Sequence, residues 1–149
     1  MNLPKVTFIG FGEVASVFSS AIYEQGAEVR AYDVLMDAKD GIEILENRSQ
    51  AKGISFLPLK DALTGADFIL STVTTSVAEE AARSCAEHIR PGQIYIDLNA
   101  TAPSVKRRVA EIIQPDRCGF RRRIYPRRCW CHRIENPYTY RWTKGSGDG

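Results

Sequence analysis

The residues best suited to chemistry lie near the start of the chain, in Gly10-Phe11-Gly12-Glu13-Val14-Ala15. This G-x-G-x-x-A run follows the apolar stretch Val6-Thr7-Phe8-Ile9 and opens a helical pattern. A glycine at the first position allows a tight turn, and one at the third lets the backbone approach a phosphate. A small residue at the sixth lets helix and strand pack closely. The helix N-terminus adds unpaired N–H groups and the positive end of its dipole. The spacing predicts a cradle for a dinucleotide pyrophosphate. The competing reading is a glycine-bearing turn in some other doubly wound domain.

Three further groups could act beside that turn. Asp33 closes the run Glu28-Val29-Arg30-Ala31-Tyr32, 23 residues after Gly10. A carboxylate there can accept hydrogen bonds from the adenosine ribose hydroxyls and repel a 2′-phosphate, which favours NAD over NADP. It can equally be a solvated acid at a strand end, and a distant base could still admit NADP; the nearest later one is Lys39. Thr72, Thr74 and Thr75 follow a buried run and could reach ribose or nicotinamide, or Thr75 or Ser76 could simply cap a helix. Asn99 and Thr101 lie in Asp97-Leu98-Asn99-Ala100-Thr101-Ala102-Pro103, where polar groups ahead of a helix could hold a substrate carboxylate or merely cap the loop. Lys106, Arg107 and Arg108 read as a solvated helix face and His88 as a surface residue at a helix end. No catalytic acid–base pair and no metal ligand set is assigned.

The elements that must position these groups alternate strand and helix. Strands are expected at 5–9, 28–32, 54–57, 67–73 and 93–97. Helices are expected at 13–25, in a weak patch around Ile42, Ile44 and Leu45, briefly at 59–64, from Thr75 or Ser76 to about His88, and at 103–114. In the first helix Val14, Val17, Phe18, Ala21 and Ile22 recur at helical spacing, and in the fourth Val77, Ala81 and Cys85 share a face. The pattern predicts an α/β, Rossmann-type doubly wound parallel sheet. The loops at 10–15, 33–36, 72–75 and 98–103 then open on one sheet edge, where such folds bind ligands.

Composition divides the chain at Pro115. Residues 1–114 carry a net charge of −4, and residues 115–149 carry +6 with three of the four cysteines and both tryptophans. The first part suits one domain, and no apolar run approaches the roughly 18 residues of a membrane span. The start does not read as a secretory signal, so a cytoplasmic location and no membrane partner are expected.

With these motifs in place, residues 4–114 resemble the NAD(P)-binding domain of the β-hydroxyacid dehydrogenases, including 6-phosphogluconate and 3-hydroxyisobutyrate dehydrogenases. The likeness is nearest to a 6-phosphogluconate dehydrogenase-like branch in which a GFGE turn and a DLN-x-x-x-P loop occur together. The resemblance implies NAD or NADP as cofactor and hydride transfer on a hydroxy acid. It implies that Gly10, Phe11, Gly12, Glu13 and Val14 line the pyrophosphate, Asp33 the ribose, and Val73 and Thr74 the nicotinamide side. Asn99 would lie between cofactor and substrate, and Thr101 near the substrate carboxylate. Many members have Ser-Thr where this chain has Asn99-Ala100. The family's catalytic lysine stands on a second, all-helical domain that usually makes the homodimer. This chain is expected to stop short of such a domain, and Lys106 does not match the lysine motif. A hydroxy-acid substrate is therefore expected only with that domain present.

Residues 115–149 show neither helix nor strand periodicity. An Arg-rich nucleic-acid tail is one reading, and a metal site from Cys118, Cys129, Cys131 and His132 is another; neither is the expected one. Translation out of frame fits better, because codons for Gly119-Phe120-Arg121-Arg122-Arg123 can yield Asp-Phe-Val-Asp one base later. The expectation is a nucleotide-binding domain cut short after about residue 114, inactive alone. The alternatives are an imine reductase-like enzyme on the same domain, or a non-catalytic cofactor-binding protein with a basic nucleic-acid-binding tail.

Overall fold

The computed structural model describes residues 3–49 and 53–114. The readings placed on 115–149, including the metal and nucleic-acid alternatives, lie outside the described residues. Among the described residues no group of His, Cys, Asp or Glu could hold a metal ion, and no helix is long and apolar enough to cross a membrane.

Five parallel strands form one sheet: β1 (Lys5–Ile9), β2 (Glu28–Tyr32), β3 (Ser55–Phe56), β4 (Phe68–Ser71) and β5 (Ile94–Asp97). Their order is β3-β2-β1-β4-β5, so the chain winds outward in opposite directions from β1. The crevice between β1 and β4 is the topological switch point, where ligands of open α/β sheets bind. This is the Rossmann-type arrangement expected from the alternating elements.

Helices cover both faces. α1 (Glu13–Glu24) and α2 (Gly41–Arg48) pack on one, around Val6, Phe8, Phe11, Ala15, Val29 and Leu45. α3 (Leu59–Leu63), α4 (Ala78–Ala86) and α5 (Pro103–Ile113) pack on the other, around Ile9, Leu63, Ile69, Ala82, Cys85 and Val109. β1 is buried on both sides, as a central parallel strand must be. Its one polar interior residue, Thr7, is satisfied by donating to the Ala62 carbonyl at 2.6 Å.

Two sequence expectations are corrected here. In α1 the buried residues are Ala15, Ser16 and Ser19, whereas Val14, Val17 and Phe18 face solvent. The glycine turn decides this rotation: it delivers residue 15 against the sheet, and only small side chains fit there. The serine hydroxyls do not go unpaired, since Ser16 donates to the Arg48 carbonyl and Ser19 to the Ser16 carbonyl. Only Ile22 of the expected stripe packs on the core. In the second correction, Thr75–Val77 form a 3₁₀ turn ahead of α4, and neither Thr75 nor Ser76 caps it. α4 buries Ala78, Ala82 and Cys85, so Val77 lies outside its buried face.

Candidate functional site

The turn after β1 is held from two sides. Gly10 adopts φ +83°, and its N–H donates to the Tyr32 carbonyl at 2.8 Å. A Cβ at Gly10 would stand 2.8 Å from Val73 Cγ1 and 2.9 Å from the Thr72 carbonyl oxygen. The loop after β4 thus lies directly against the turn after β1. Thr72 ties them together: its N–H donates to the Ile9 carbonyl at 2.8 Å and its hydroxyl to the Gly10 carbonyl at 2.7 Å. The sequence reading offered the Thr72 hydroxyl to a ligand, and the fold instead uses it to close the switch point.

On the other side, the Phe11 N–H donates to Asp33 Oδ2 at 2.7 Å, and the Leu35 N–H donates to Oδ1 at 2.9 Å. The Phe11 ring is fully buried and meets Phe56 edge-on, so Phe11 offers the site backbone only. Each carboxylate oxygen has lone pairs beyond the one used here. Asp33 is half-buried, with its remaining acceptor capacity still available to a ligand. Burial raises the pKa of the adjacent Tyr32 phenol, and the negative charges of Asp37 and Asp33 add to the effect, so it stays protonated near neutrality.

Gly12 is the N-cap of α1, and nothing stands within 4 Å of where its Cβ would be. No side chain caps the helix. Glu13 and Val14, in the exposed first turn, surround the open N-terminus. An uncapped helix end beside an open glycine suits a pyrophosphate, since the unpaired N–H groups and the dipole both favour an anion. This part of the chain fits a dinucleotide.

Beyond β4, Val73 is half-buried against Gly10, and Thr74 is exposed with its hydroxyl 3.3 Å from that of Ser76. Beyond β5, Asn99 is buried, and its amide nitrogen donates to the Ser71 hydroxyl at 3.0 Å. Asn99 Oδ1 and Thr101 Oγ1 are buried and have no hydrogen-bond partner among the described residues. β4 and β5 are in register with Ser71 opposite Asp97, which brings the loops after both strands to one edge.

Sequence reasoning missed Ser71 and misread Lys106. Period-2 alternation from Ile69 could have placed Ser71 on an inner face. Lys106 is not solvated like its neighbours: its ammonium turns inward to Asp97 and the Asn99 carbonyl. That contact spans seven and nine residues across a loop, which no helical or strand period encodes. Arg108 instead pairs with Glu79 on α4, at 2.7 Å.

Comparison with known proteins adds a family. A family model described as NADP oxidoreductase, coenzyme F420-dependent, matches residues 5–101. A conserved hypothetical protein from Sinorhizobium meliloti superposes with a TM-score of 0.67 at 27% identity, over 75% of this chain and 38% of that one. The conserved protein MTH1747, whose structure is described as similar to 3-hydroxyacid dehydrogenases, gives a TM-score of 0.61 at 30% identity, over 74% of this chain and 40% of that one. The NAD-dependent L-serine dehydrogenase of Pseudomonas aeruginosa is 23% identical over 111 residues, or 72% of this chain and 35% of the enzyme. The chain spans less than half the length of each of these relatives.

Proposed function

The chain belongs to the NADP oxidoreductase, coenzyme F420-dependent, family, and from that premise we propose that it is the cofactor-holding part of an oxidoreductase that prefers NAD and acts on a small hydroxy acid. It is an NAD(P)-binding oxidoreductase domain similar to those of 3-hydroxyacid dehydrogenases. Gly10 to Val14 would receive the pyrophosphate, Asp33 the adenosine ribose, and Val73 and Thr74 the nicotinamide side. Asn99 would stand between cofactor and substrate, with Thr101 toward the substrate. When bound, the nicotinamide supplies or accepts the hydride. The chain's own residues hold and orient it.

The observation that carries the reading is the uncapped N-terminus of α1 over the open Gly12, with Asp33 tied to the same turn. The NAD preference rests on the carboxylate alone, and the family description points to NADP instead. A hydroxy-acid substrate is supported by the likeness to the L-serine dehydrogenase, and the 3-hydroxyacid dehydrogenase type of fold by the likeness to MTH1747, itself of unknown function. The proton-transfer lysine and the dimer contacts would come from a second, helical domain of the kind the resemblance implies.

Fluorescence titration of NADH and NADPH tests the reading. Saturable NADH binding, weaker NADPH binding and loss of both in Gly12→Asp are expected. Equal binding by the variant would overturn the site, and tighter NADPH binding would overturn the preference.

A further inference from the structure

Lys106 stands at the start of the second turn of α5, yet its ammonium reaches back to the end of β5 and the loop that precedes the helix. Its Nζ donates to the Asn99 carbonyl at 2.7 Å and to the Asp97 carbonyl at 3.3 Å, and lies 3.3 Å from Asp97 Oδ2. Two of the ammonium's three donors are thus taken by backbone carbonyls, and Asp97 Oδ2 adds an ion pair without a hydrogen bond. The pair is no surface ornament, because the Asp97 side chain is only 5% exposed.

The same contacts converge on Asn99. Its N–H donates to Asp97 Oδ1 at 2.9 Å, and its carbonyl accepts from the Thr101 N–H at 2.9 Å as well as from Lys106. Its side-chain nitrogen is held by Ser71. Backbone and amide nitrogen are therefore fixed, and of the Asn99 polar atoms Oδ1 is the one left buried without a partner, a state shared among the described residues by Tyr95 OH, Asp97 Oδ2 and Thr101 Oγ1. Leaving a buried acceptor unmet is costly unless a ligand donates to it. From this arrangement we infer that Lys106 is a positioning residue for the cofactor site. It locks the Asn99 backbone so that Oδ1 is presented as a fixed acceptor for an N–H or O–H donor of the bound ligand. Lys106 acts through Asn99 and touches no ligand itself. The inference rests on the proposed placement of Asn99 beside the cofactor.

Three variants of the 149-residue chain test it: Lys106→Met, Lys106→Arg, and the charge-neutral double variant Asp97→Asn/Lys106→Met. The double variant avoids leaving a buried carboxylate unpaired, so it decides the matter if the single variant fails to fold. The first readout is the side-chain amide of Asn99 in protein labelled with 15N-asparagine, assigned by its loss in Asn99→Ser. It is expected to be well dispersed in the parent and to shift and exchange about tenfold faster in both Met variants. The second is NADH affinity, expected to fall about tenfold, with partial recovery in Lys106→Arg. Folded Met variants with an unchanged Asn99 amide and unchanged NADH affinity would overturn the inference. A parent that binds neither dinucleotide would overturn the proposed function instead, and the Asn99 amide of the free protein would still decide the role of Lys106.

Discussion

The Phe11 N–H and Asp33 Oδ2, 22 residues apart, meet at 2.7 Å, so the carboxylate proposed to take the ribose also fixes the glycine turn. The partners lie at the ends of the adjacent strands β1 and β2, where Ile9 pairs with Tyr32. A carboxylate held this way has its position set by the fold itself.

Replacing Asp33 should therefore cost stability as well as selectivity. Asp33→Ala removes the acceptors for the Phe11 and Leu35 N–H groups together. The expected loss is about 1.5–3 kcal/mol, read by urea unfolding. In Asp33→Ser, which keeps one short acceptor, the NADH-to-NADPH affinity ratio should fall because the charge opposing a 2′-phosphate is gone. An unchanged ratio would count against Asp33 as the discriminating residue.

The two glycines of the turn should separate fold from binding. Gly10→Ala forces an L side chain to φ +83° and into Val73 and Thr72. It should destabilise by about 1–3 kcal/mol. Gly12 has open space over it and extended backbone angles. Gly12→Asp even supplies the N-cap acceptor that α1 lacks, so its Tm should hold or rise while dinucleotide binding is lost. Thermal unfolding of both variants beside NADH titration makes the comparison.

α1 gives a test of which face is buried. Val17→Ser on the solvent side should cost less than about 1 kcal/mol. Ala15→Leu, at a position with no exposure beside Phe11, should cost about 1–3 kcal/mol by overpacking. The hydrophobic spacing of the sequence predicts the opposite order, and chemical denaturation of the two variants distinguishes them.

Alkaline pH should weaken the fold through Cys85. Burial pushes its thiol from the ordinary value of 9.0 up to about 12. Between those values the folded state holds a proton that the unfolded state has lost. The stabilisation is full below about pH 9 and falls as pH rises toward about 12. Urea midpoints measured from pH 7 to 11 should decline, less steeply in Cys85→Ala. Iodoacetamide should leave Cys85 unmodified in the native protein at pH 8 and label it after unfolding.

Much of this was legible in the chain because the deciding signals are local. Gly10 to Ala15 specify a strand–turn–helix junction by backbone conformation alone, and the alternation of elements then requires a parallel sheet with right-handed crossovers. Asp33 was legible as the acid at the end of β2. Within α1 two signals competed: the apolar spacing Val14, Val17, Phe18 is a helix-face pattern, but Ala15, read from the sequence as the small residue for close packing, is what meets the sheet. Steric demand at the turn outranked periodicity because only small side chains fit that contact.

What the sequence determined by itself was therefore a nucleotide-binding α/β domain and the backbone cradle at its first turn, since glycine placement and strand–helix order act over short separations. Tertiary structure alone decided which side chains are spent on the fold and which remain for a ligand. Thr72 closes the switch point, Lys106 turns inward to Asp97 and Asn99, and Asn99 keeps one unmet acceptor. Those outcomes depend on β4 and β5 lying in register beyond β1, a long-range pairing that no local residue pattern records.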